Sequence, residues 1–165
     1  MALAGFSTLD ICGAAPAPGA GTIEYIPVSD VDAADFEWAI KSATYNQQQS
    51  VFSGTWHTLP HAGGSAQWTE EQQKDAQGDY FNVSLTALLP ADSPAVRGEL
   101  NAMKQYRYLL RITRSGTVLL LGSHDMPFRF ESRFDSGADG GDTRGHRCTF
   151  SGVALLKSPG YVPVF

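Results

Sequence analysis

Apolar and polar residues alternate with a period of two along much of the second half of the chain. In Tyr106–Thr113, Tyr106, Tyr108, Leu110 and Ile112 fall on one side and Arg107, Arg111 and Thr113 on the other. Ser115-Gly116 supplies a turn, and Val118–Leu121 follows as a short apolar run. Phe128, Phe130 and Phe134 then alternate with Arg129, Glu131 and Arg133. After a wide Gly-rich loop, Cys148–Gly152 reads as a further strand. Successive side chains of a strand point to opposite faces, so this pattern predicts sheet with one buried and one polar face.

Upstream, Thr22–Val28 reads as a strand whose Pro27 marks an edge or an end. Ser29–Asp35 suits a turn or a short helix start, Phe36–Ala43 a strand, Asn46–Ser50 a polar loop or strand tip, and Val51–Trp56 another short strand. Pro60 and Gly63-Gly64 make His57–Gly64 a loop. Ser65–Lys74 is a polar strand and Asp75–Asp79 a turn around Gly78. Tyr80–Leu88 is a strand in which Phe81, Val83, Leu85 and Ala87 alternate with Asn82, Ser84 and Thr86. Together these predict a long hairpin with one arm much more polar than the other. The single helix expected, about residues 93–104, has Asp92 or Ser93 as its cap, Pro94 in its first turn, and Val96, Leu100 and Met103 on one face. Residues 1–21 are rich in Ala, Gly and Pro and read as an extended arm; 22–157 form the domain; 158–165 are an extended apolar tail.

Composition sets outer limits. The 165 residues are 42% hydrophobic, enough for a core in one domain, and carry a net charge of −5, which disfavours a nucleic-acid reader. Cys12 and Cys148 are too few for a disulfide framework. Two free thiols are the expectation and a Cys12–Cys148 bond the alternative. The N-terminal run lacks a basic region and is broken by Asp10, so it does not read as a signal peptide. No apolar stretch approaches the ~20 residues of a membrane span. The expected location is the cytoplasm of the producing cell.

Candidate chemistry is sparse. His57 and His61 are four apart, but Pro60 argues against a shared helix face, and no Glu stands between them as in a metalloprotease motif; they read as loop histidines. Asp135, Asp139 and Asp142 depart from an EF-hand loop and read as a flexible connection. His124-Asp125 precedes Pro127 in turn territory, with no nucleophile elbow nearby. No catalytic residue, metal or cofactor is therefore expected. Arg97, Lys104, Arg107, Arg111 and Arg114 form a modest basic zone, suited to nucleic acid or to acidic groups of a neighbouring subunit. Glu70, Glu71, Asp75 and Asp79, against Lys74, make the long hairpin acidic.

The order of features in Gly78–Gly152 resembles tail proteins of bacteriophages and prophages, particularly those of Bacteroidetes. The parts that carry the likeness are the alternating strand from Tyr80 to Pro90, the short helix and the strand–Gly turn–apolar strand of Tyr106–Gly122. A Pro-containing link then leads to a strand ending in Asp135-Ser-Gly137, and an Arg/Gly loop leads into Cys148-Thr-Phe-Ser-Gly152. Cys12, the early Gly-rich stretch and Ile23-Glu-Tyr-Ile26 fit the same impression. The likeness covers the last half of the chain and contains no invariant chemical motif.

The resemblance implies a mainly β, tail-tube-like fold: a β-sandwich or partly closed barrel with one flanking helix, a long hairpin and extended terminal arms. It implies a virion structural protein, not an enzyme, forming stacked homo-hexameric rings that contact other tail proteins. DNA would pass through without specific binding. Assembly would take place in the bacterial host cytoplasm, with no membrane involved. On this reading Glu70, Glu71, Asp75 and Asp79 face the lumen. Leu3, Phe6, Leu9 and Ile11, with Tyr161, Val162, Val164 and Phe165, anchor the arms on other subunits. Another tail or neck component (terminator, distal tail protein or connector) belongs to the same class. The rival class is a ligand-binding β-sandwich, such as a carbohydrate-binding module, with Trp38, Trp56 and Trp68 as its stacking platform.

Overall fold

The computed structural model describes residues 21–32, 54–76, 78–114, 117–137, 144–154 and 160–161. Its strands are β1 (Thr22–Pro27), β2 (His57–Leu59), β3 (Gln67–Asp75), β4 (Gly78–Leu89), β5 (Arg107–Arg114), β6 (Thr117–Leu121), β7 (Phe128–Asp135), β8 (Gly145–Ala154) and β9 (Gly160–Tyr161). One α-helix, α1 (Pro94–Met103), lies between β4 and β5, and a single 3-10 turn, Val28–Asp30, follows β1. The mainly β character, the long hairpin and the flanking helix are as the alternation implies. The strands form one antiparallel sheet in the order β2-β1-β5-β7-β8-β4-β3, with β6 on β5 and β9 on β6. The sheet is not closed into a barrel.

β5 is the branch point. Its start pairs with β7 through Arg107↔Arg129 and Tyr108↔Phe128, while Leu110–Arg114 pair with β6 along the same edge. One arm of the sheet is therefore β2-β1-β5-β6-β9 and the other β7-β8-β4-β3. The two arms curl over a common core. In a flat sheet β1 and β8, three strands apart, would be ~14 Å from each other. Yet the Tyr25 ring of β1 lies 6.2 Å from the Phe150 ring of β8. Tyr108 meets Phe150 edge-on at 5.6 Å, and Phe130 lies 4.9 Å from it. The sandwich-like character comes from one folded-over sheet.

Period two explains which residues line this core. Val83, Leu85, Ala87 and Leu89 of β4 face it, as do Tyr108, Leu110 and Ile112 of β5. From α1, Val96, Leu100 and Met103 close one side. Ser93 is the helix cap, its Oγ accepting from the Val96 amide at 3.2 Å, and the Tyr108 hydroxyl donates to the Met103 carbonyl at the other end. A second buried cluster, Ile26, Val31, Leu109, Val118 and Leu120, lies separate from the first. Leu109 thus interrupts the polar face that Arg107, Arg111 and Thr113 would otherwise make.

Two upstream expectations change. His57–Leu59, read as loop, is a strand: Ile23↔Leu59 and Tyr25↔His57 register it on β1. A three-residue run ended by Pro60 is too short for alternation to show, and burial of Leu59 against the core decides it. Gly54–Trp56, read as the end of a strand, is not strand; Gly54 lies against Ile26 and Asp30, where a side chain would collide. Phe36–Ala43, Asn46–Ser50 and 51–53 lie outside the described residues.

Candidate functional site

The β3–β4 hairpin ends the sheet. It is registered from Gln67↔Thr86 to Asp75↔Gly78, and β3 has no neighbour on its outer edge among the described residues. The last pair joining it to β8 is Phe81↔Ala154, so Gly78–Tyr80 pair only with β3 there. Alternation divides the four acidic candidates. Glu70 stands opposite the core residue Val83, and Asp79 shares its side of the hairpin, opposite Lys74. Glu71 and Asp75 point to the other face, in step with Thr69 and Ser84. The four lumen candidates thus fall into two pairs on opposite faces of the hairpin.

The outer face of the second arm is mostly polar, with Leu88 and the exposed Val153 as its aliphatic positions. One transverse row runs Thr69–Ser84–Ser151–Arg129–Arg107, one residue per strand over five strands. The next is Gln67–Thr86–Thr149–Glu131, and beyond it Leu88–Arg147–Arg133. Two arginine pairs therefore stand directly opposed across ladders, Arg107 to Arg129 and Arg133 to Arg147, all four exposed. Like charges so placed repel. None of the four makes an ion pair with a described residue. An open groove of about 690 Å³ lies along the first row, walled by Asp125, Met126 and Pro127.

Sequence reasoning grouped Arg107 with a different set. Of that set, Arg111 donates to both oxygens of Glu24 at 2.6 and 2.7 Å and lies 4.7 Å from the Trp56 ring. Arg97 donates to both oxygens of Asp92 at 2.6 and 2.8 Å. These two serve their own chain. Arg147 entered no group, because only the β7–β8 register brings it beside Arg133. The alternation of Arg129 and Arg133 with phenylalanines was the available clue.

Asp92 is the most highly engaged carboxylate. Besides Arg97 it meets His146 Nε2 at 3.1 Å and Arg144 at 3.5 Å, and its side chain is only 12% exposed. Phe134 lies beneath, 4.9 Å from the His146 ring and 5.3 Å from the Arg97 guanidinium. The cluster ties the start of α1 to β8. The Arg97 hydrogen bonds foremost, aided by His146 against the cost of burial, hold the Asp92 carboxyl far below its ordinary value of 3.8. A carboxylate depressed in the folded state stabilises it fully above the unfolded value, and that stability is lost as pH falls through the folded one. Asp92→Asn should therefore lower the thermal midpoint at pH 5–7, and the gap from wild type should shrink in melts below about pH 4. A gap that stays constant down to pH 2 would show that the charge is not what matters.

The remaining candidates do not converge. His57 lies over the Tyr25 ring at 5.5 Å, whereas His61 is buried with Nδ1 3.1 Å from the Leu59 carbonyl oxygen. No cluster of three metal-ligating side chains occurs among the described residues. His124-Asp125 sits in a turn closed by the Met126 amide on Ser123 Oγ. Asp135 accepts from the Gly137 amide, an Asx turn; Asp139 and Asp142 lie outside the described residues. Cys148 is a free thiol, fully buried, and burial pushes it up to about 12, so it is inert as a nucleophile. Cys12 lies outside the described residues. Trp56 packs on the second cluster and Trp68 on the main core, so they share no exposed platform; Trp38 lies outside the described residues. Of the arm anchors, Leu3, Phe6, Leu9, Ile11, Val162, Val164 and Phe165 also lie outside them. Tyr161 belongs to β9 and pairs with Val118 of its own chain, so this part of the tail extends its own sheet.

No helix among the described residues is long and apolar enough to cross a membrane. Comparison with known proteins gives no match among family models, curated proteins or solved structures.

Proposed function

We propose that this chain is a virion structural protein of a phage tail, a tail-tube subunit that assembles into stacked six-membered rings around a DNA conduit. The observation that carries the reading is the long β3–β4 hairpin, which ends the sheet with an open strand edge and carries four carboxylates beside one lysine. An exposed polar edge of nine residues is a hazard in a monomer and a joint in an assembly. Carboxylates repel phosphate, as a conduit wall should. Because the arginine rows begin at the row of Thr69 and Ser84, the hairpin beyond that row, from Glu70 to Asp79, suits the lumen and holds all four carboxylates. The arginine rows belong against protein. The wall would let DNA slide without specific binding, and ring ends would meet other tail proteins.

Mass photometry and negative-stain microscopy of the purified chain test this. Particles of about six subunits, or tubes built from them, are the expected result. A monodisperse monomer up to high concentration, with neither rings nor tubes, overturns it.

A further inference from the structure

We draw no further inference here: the strongest candidate, the open groove of about 690 Å³ on the outer face of β4, β7 and β8, sets Arg107 and Arg129 beside Asp125 and Glu71 with no net charge to select a ligand, and nothing in the structure shows what covers it.

Discussion

Truncating Phe150 to alanine is expected to cost about 3–5 kcal/mol of folding stability, against a total of roughly 5–15 for a domain of this kind. Phe150 is completely buried at the middle of β8, between Leu85 of β4 and Phe130 of β7 in register. Its ring also touches Tyr25 and Tyr108 of the other arm. Removing it opens a void where the two halves of the folded-over sheet meet. Phe150→Leu keeps most of the volume and should cost less than about 1.5 kcal/mol. Urea titration of the three proteins at one pH checks this. A loss below about 1 kcal/mol for alanine would mean that the arms do not share one core.

The elements that were legible in the sequence are those whose period is carried by several residues. β4 shows four alternating apolar positions, β5 and β7 three each, and α1 has its cap and proline in place. β2 was not legible, because three residues cannot display a period and its strand character comes from pairing with β1. Nor was the curl of the sheet: alternation says that Tyr25 and Phe150 are buried, not that they are buried against each other. The candidate surface shows the same division. The acidity of the hairpin is local in sequence and was visible, whereas its split into Glu70 with Asp79 and Glu71 with Asp75 follows from strand geometry. The arginine pairs join residues from three strands, and only the register brings 107 to 129 and 147 to 133. Asp92 was read as a possible cap. Ser93 takes that role because its Oγ reaches the Val96 amide, which releases Asp92 to bind Arg97 and His146.

Two glycine-to-alanine changes should move stability in opposite directions. Gly145 opens β8 opposite Asp135, with φ of +156°, beside the segment that carries the Asp92 cluster. A Cβ there would run into the Leu89 carbonyl group and the Pro90 Cα. These are backbone atoms of β4 and the chain entering α1, so no side-chain rotation relieves the clash. Backbone strain of about 1–3 kcal/mol adds to an overpacking cost of about 1–3 kcal/mol, making Gly145→Ala destabilising by roughly 2–6 kcal/mol. Gly98 lies within α1 with open space around the position of its missing Cβ. Alanine there restricts the unfolded chain and favours the helix, so Gly98→Ala should stabilise by about 0.5–1 kcal/mol. Equilibrium unfolding of both variants beside wild type is the measurement. If Gly145→Ala is as stable as wild type, β8 does not start against the Leu89–Pro90 backbone. The tie between β8 and the start of α1 would then have to be built differently, with consequences for Asp92 and His146. If Gly98→Ala is destabilising, that face of α1 is covered rather than open. If the proposed rings form, the same pair also separates fold from assembly: Gly98→Ala should then leave them unchanged, whereas Gly145→Ala should lose them only in proportion to the fraction unfolded.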